Sequence, residues 1–216
     1  MIRQPLTSRT SSILGTYYQA TKDELIQGQE WYKSAHTKAL NLSGVFNFGV
    51  ITTAGIIAAL SPNNKWSRNL LDAQALINAY ALDGAYAASQ VKVCTFDTNK
   101  AKALAILKLQ SPTIDDVVAV LHGLKISAFY RCILGDSQSV CVDGHTYSIW
   151  IGHHITTPNT PKISPRLYKQ ITADYRKAAS IVSTQSQPMT PVELQAVTWL
   201  THKRINTRWH VITSST

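Results

Sequence analysis

Lys125 and Asp143 are the two side chains of this chain best suited by type and spacing to covalent chemistry. They lie eighteen positions apart. The segment between them, Ile126-Ser127-Ala128-Phe129-Tyr130-Arg131-Cys132-Ile133-Leu134-Gly135, is mostly apolar and has the length of one short helix closed by a glycine. An amine before that helix and a carboxylate just past it can face a common cleft. At a sugar or carbonyl carbon, such an amine attacks while the carboxylate stabilises developing positive charge. Two plainer readings stand beside this one. Lys125 can be a solvated surface lysine, and Asp143 can be the cap of a helix beginning near Gly144.

The elements that must hold this pair read as helices almost throughout. The pattern predicts a first helix over 11–20. Thr21-Lys22-Asp23-Glu24 resembles a capping box opening a second, which carries Leu25, Trp31, Ala35 and Leu42. Residues 48–60 are apolar nearly all round, as expected of a helix inside a core. Ser61-Pro62-Asn63-Asn64 breaks that run, and an apolar stripe then marks a helix over 66–80. Residues 82–93 read as part helix, part extended. Asp97 is the expected cap of a helix over 98–109, and Pro112-Thr113 opens a short helix that Gly123 ends. Helices follow over 126–134, over 144–152, from Pro165 to about Val182, and from Thr190-Pro191-Val192-Glu193 to about Arg204. The expectation is an all-α fold of about ten helices, a polar, loose tail from 206 to 216, and no repeat.

The 216 residues suffice for one domain or two small lobes, and 44% hydrophobic content suffices for a core. With 21 Lys+Arg against 12 Asp+Glu, the formal charge of +9 favours a polyanionic partner, most simply nucleic acid. Cys94, Cys132 and Cys141 form neither a disulfide framework nor a zinc spacing, which fits a reducing compartment. The start, Met1-Ile2-Arg3-Gln4-Pro5, lacks the apolar core of a signal peptide, and the apolar window 49–60 is too short to span a bilayer. No metal and no cofactor is expected, since the adjacent His153 and His154 diverge on a helix.

Four ordered pieces resemble the helix-hairpin-helix DNA glycosylases related to endonuclease III. Leu121-His122-Gly123-Leu124-Lys125-Ile126-Ser127 stands where that family has its hairpin motif, roughly Leu-Pro-Gly-Val-Gly-x-Lys-Thr-Ala. Val142-Asp143-Gly144-His145 matches its Val-Asp-Thr-His. Leu60-Ser61-Pro62-Asn63-Asn64 is similar to its Leu-Ser-x-Gln segment, and Thr98-Asn99-Lys100-Ala101-Lys102-Ala103 to its Asn-x-Lys-Ala helix start. The resemblance covers about residues 45–180. The hairpin is about two residues shorter than the family's and lacks the Gly-x-Gly loop whose N–H groups hold a DNA phosphate. Without a gap Ser127 matches the family lysine; Lys125 keeps the lysine–aspartate spacing. The four-cysteine iron–sulfur loop is absent, as in several members of the family.

The resemblance implies two helical lobes with a cleft between them: residues 65–134 as one, 1–64 with 135–205 as the other. It implies a divergent, phage-encoded kind of glycosylase, monomeric, working on duplex DNA in the cytoplasm, beside a nucleoid or in an infected host. Lys125 and Asp143 would be catalytic. Asn63 or Asn64 would fill the gap left by a flipped base, with Lys65, Arg68, Gly123, Ser127 and His145 also against the DNA. Trp66, Tyr130 and Tyr147 would line the pocket. For each the plain alternative is a turn, a solvated cation or a core residue. Two other functions fit the same resemblance: a base-modifying enzyme of DNA hypermodification, and a DNA-binding module without catalysis.

Overall fold

Threonines followed three residues later by a carboxylate begin three of the helices. The computed structural model describes residues 8–45 and 48–213, excluding the side chains of Thr157 and of residues after Asn206. In it Thr21 N donates to Glu24 Oε2 at 2.9 Å, while Glu24 N donates to Thr21 Oγ1 at 3.2 Å. The same reciprocal bonding joins Thr113 to Asp116 and Thr190 to Glu193. Each box satisfies two backbone groups, one of them an N–H that a helix start leaves without an internal partner.

The described residues form ten α-helices: α1 (Ser8–Tyr17), α2 (Lys22–Val45), α3 (Val50–Leu60), α4 (Trp66–Gln90), α5 (Asp97–Leu107), α6 (Ile114–Leu121), α7 (Leu124–Ile133), α8 (Gly144–Ile151), α9 (Pro165–Val182) and α10 (Pro191–Thr213). Among the described residues there is no strand, and the fold is all-α. Residues 82–93 are part helix and part extended, as expected: 82–90 continue α4, which breaks locally at Gly84 with φ 79° and ψ −173°, and Val91 is extended. Other expectations need correction. Asp97 is the first residue of α5 and not its cap; Phe96 takes that position without a side-chain bond. The last helix runs on through 206–213, because no proline or glycine after Pro191 stops it. Residues 214–216, the end of the expected loose tail, and the Met1–Pro5 start lie outside the described residues.

The chain divides into two compact units, Met1–Lys33 with Asp136–Thr216 and Ser34–Gly135. Residues 34–64 therefore belong with 65–135, not with the terminal helices. The cause is α3, which is buried from Thr52 to Leu60. A helix apolar on every side needs neighbours all round, and α3 packs against α4, α5, α6 and α7. Ile56, Ile57 and Leu60 meet the buried faces that contribute Leu76, Ile106, Leu121 and Ile133.

The other unit has its own core, built from Ile13, Val140, Val142, Ile149, Trp150, Ile171, Tyr175 and Leu194. Glu24 ties α2 to α10 within it, accepting from Arg204 Nε at 2.7 Å and from Thr201 Oγ1 at 3.3 Å. Burial pushes the Glu24 carboxyl up, and the Arg204 and Thr21 hydrogen bonds with the Arg204 charge overcome it, leaving it below the usual carboxylate range. Among the described residues no single helix is long and apolar enough to cross a membrane.

Candidate functional site

Asp143 is the N-cap of α8, and its carboxylate is held from two sides. Its backbone is extended, with φ −108° and ψ −173°, and Oδ1 accepts from Thr146 N at 2.8 Å. Thr146 Oγ1 lies 2.9 Å from the same oxygen and 3.1 Å from the Cys141 carbonyl, while Gln195 Nε2 donates to it at 3.3 Å. Oδ2 accepts from the indole Nε1 of Trp199, on α10, at 3.2 Å. The plain reading of Asp143 as a cap is thus correct as far as it goes. A cap needs only one carboxylate oxygen, and here the second is also oriented. The extended run Val140–Val142 that delivers Asp143 is anchored by α9: Tyr168 Oη donates to Val140 O at 2.8 Å and accepts from Val142 N at 3.2 Å.

Histidines gather beside this carboxylate. His145 Nδ1 and His202 Nδ1 share a hydrogen bond of 3.1 Å. The His145 ring meets Trp199 edge to face at 5.9 Å between centroids, and the His154 ring lies 5.4 Å from that of His202. His202 is only 7% exposed, and its Nε2 is buried without a hydrogen-bond partner. Burial, and then the neighbouring His145 and His154, pull its pKa down to about 4 against the opposing pull of Asp143. It is therefore neutral near pH 7. Among the described residues no three His, Cys, Asp or Glu side chains are arranged to hold a metal ion.

Lys125 belongs to the Ser34–Gly135 unit, Asp143 to the other. The helices α6 and α7 are joined by two residues of positive φ, His122 at 45° and Gly123 at 99°. With ψ at 139°, Gly123 adopts a backbone that side chains with a Cβ avoid, which explains a glycine at this tight turn. Lys102 Nζ donates to Leu121 O, placing a cation at the end of α6. Lys125 is exposed in the first turn of α7, and Gly123 is exposed before it. Phe129, one turn further along the same face, meets Trp66 edge to face at 6.4 Å. This brings the start of α4 against α7, so Trp66 and Lys125 belong to neighbouring surfaces of one unit.

The remaining expected site residues separate by what holds them. Asn63 is exposed in a left-handed turn, with φ 56°. Asn64 is instead committed inward, its Nδ2 donating to Leu60 O at 3.3 Å and Asp72 Oδ2 at 3.0 Å. Arg68 pairs with the same aspartate at 2.7 Å. Asp72 is 2% exposed, so it needs these donors and the Cys94 N–H, at 2.8 Å, to be tolerated in the interior. Lys65 is exposed as the N-cap of α4, and Ser127 is half-buried. Tyr130 is fully buried in the α-helical core, where burial pushes its hydroxyl pKa up. Tyr147 packs against the core and Trp150, its ring 6.1 Å from the indole.

A model of a protein family matches residues 3–206, almost the whole chain. The chain belongs to this family, DUF7178, a family of unknown function. No curated protein matches it, and no solved structure does.

In this DUF7178 chain the residues that complete the Asp143 site were not legible as motif. Trp199 and His202 lie 56 and 59 positions beyond Asp143 and reach it only because α10 packs on α8. The available signal was their spacing: positions three apart share one face of a helix. Lys203, whose Nζ sits 4.2 Å over the Trp199 ring, adds a cation to the same end of α10.

Proposed function

We propose that this chain acts on DNA as an enzyme of the helix-hairpin-helix glycosylase kind, flipping out a damaged or modified base and working at its N-glycosidic bond. One observation carries the reading: both oxygens of Asp143, the residue in the Val-Asp-x-His position, are fixed by donors from α8 and α10. A carboxylate oriented on both sides is suited to stabilising an oxocarbenium-like centre. Lys125, in the first turn after the α6–α7 turn, is the candidate nucleophile. Asn63, exposed and not bound to α4, fills the duplex gap better than Asn64.

On this reading the Lys125 amine adds to C1′ of the flipped nucleotide. The C1′–N bond breaks, its electron pair leaves with the base, and the base takes up a proton. Opening of the C1′–ring oxygen bond then gives a Schiff base on Lys125, the amine's two protons having gone one to the base and one to the ring oxygen.

Borohydride trapping on duplex DNA tests it, with abasic, uracil, 8-oxoguanine, hydroxymethyluracil and undamaged substrates. The expected result is a covalent adduct lost in Lys125→Ala, and base release lost in Asp143→Asn. Free base without an adduct removes Lys125 as nucleophile and leaves Asp143. A base of altered mass with no abasic site replaces glycosylase chemistry with base modification. DNA binding with no product at all sinks the enzyme reading.

A further inference from the structure

We infer that the exposed face of α9 is a second DNA-binding surface, one that grips the phosphate backbone and registers it against Asp143. The inference rests on the reading of this chain as a DNA-acting protein and adds a site outside the α6–α7 turn.

One face of α9 is buried through Ile171, Tyr175, Ala178 and Ala179. On the opposite face Arg166, Lys169 and Arg176 are exposed, with uncharged Gln170, Ala173 and Ser180 exposed between and beyond them, and Lys162 lies exposed just ahead. From Arg166 to Arg176 the row runs ten residue steps, about 15 Å of helix. Duplex DNA carries roughly one charge per 1.7 Å of its axis, so such a row meets several phosphates.

A solvated helix face ordinarily mixes signs, and this one does not. The only acid of α9, Asp174, is 9% exposed and turned inward, accepting from Thr10 Oγ1 at 3.1 Å and Trp150 Nε1 at 2.8 Å. Among the described residues Arg166, Lys169 and Arg176 make no ion pair, whereas Lys33 and Arg204 elsewhere in this unit do. Charge complementarity therefore selects a polyanion with regularly repeating charges.

Position relates that polyanion to the candidate chemistry. Arg176 donates through Nε and Nη2 to Gln138 O at 3.1 and 3.0 Å, and Tyr168 bridges Val140 and Val142. The helix that carries the cations thus also holds residues 138–142, which lead directly into Asp143. A backbone seated on α9 has its place fixed relative to that carboxylate.

Fluorescence anisotropy of the full chain with a labelled undamaged duplex, between about 50 and 200 mM salt, tests the inference. Arg166→Glu with Lys169→Glu is compared with Lys92→Glu and Lys108→Glu, an equal charge change at two exposed sites of the other unit. Arg166→Gln with Lys169→Gln guards against a misfolded charge-reversal pair, and thermal melting checks all three. The α9 variants are expected to weaken binding by about tenfold or more at low salt and to flatten the salt dependence by about two in log–log slope. The Lys92/Lys108 pair should leave the slope unchanged. Equal losses in both pairs overturn the α9 site in favour of net charge alone. Unchanged binding in the α9 variants overturns it while leaving the DNA reading intact. A wild-type chain that ignores duplex DNA, or prefers vesicles of anionic phospholipid, overturns both.

Discussion

Asp143 does two jobs whose consequences separate by substitution. As a cap it accepts from Thr146 N; as a candidate catalytic group it presents an oxygen oriented by Trp199. Asparagine caps nearly as well as aspartate, whereas alanine does not. Asp143→Ala is therefore expected to cost about 1 kcal/mol of stability in thermal or urea unfolding. Asp143→Asn should stay within a few tenths of wild type and lose base release. If the two variants are equally stable, the cap bond contributes nothing. His202 makes a second prediction. Its folded pKa of about 4 lies below the ordinary value of 6.5, so between those values the unfolded chain binds a proton that the folded chain refuses. Stability from this group is present above about pH 6.5 and lost as pH falls toward 4. Melting temperature should fall through that window, and His202→Gln should flatten the fall. An unchanged profile would mean that the buried Nε2 acquires a proton without cost.

Helices that pack closely expose their glycines to test. Gly28 of α2 faces Val197 of α10, where an added Cβ would lie 2.4 Å from Val197 Cγ2 and 2.6 Å from its Cα. The second contact is with backbone, so rotamer changes cannot relieve it and the helices must part. Gly28→Ala should destabilise by about 1–3 kcal/mol. Gly15, within α1, has nothing within 4 Å of its added Cβ. Gly15→Ala should stabilise by about 0.5–1 kcal/mol, because alanine loses less backbone entropy in a helix. Opposite signs in parallel melts would confirm the close α2–α10 approach; two gains would refute it.

The whole chain carries +9, and DNA association should accordingly be steep in salt. Contact with six phosphates predicts about a thousandfold loss of affinity between 50 and 200 mM salt. A slope near zero would assign the excess charge to solubility. The membership of the chain in a family of unknown function leaves the activity to such measurements.

Local bonding was legible from the residues alone. The Thr21–Glu24 box, the Pro165 start of α9, the end of α6 before Gly123 and the cap at Asp143 all depend on neighbours within four positions, where a helix makes its hydrogen bonds. The all-α class followed from the same local patterns. Burial was not legible, because it depends on which faces meet across long loops. Residues 48–60 read correctly as a core helix, yet the helices surrounding α3 were not evident, and the division of the chain was misplaced at 64. Tyr130 and Asn64 read as site residues until packing turned one into the core and the other toward Asp72. Trp199, His202 and Tyr168 reach the Asp143 segment from α10 and α9. Nothing in their own neighbourhoods marks them, since a contact made by folding distant faces together leaves no short-range spacing to read.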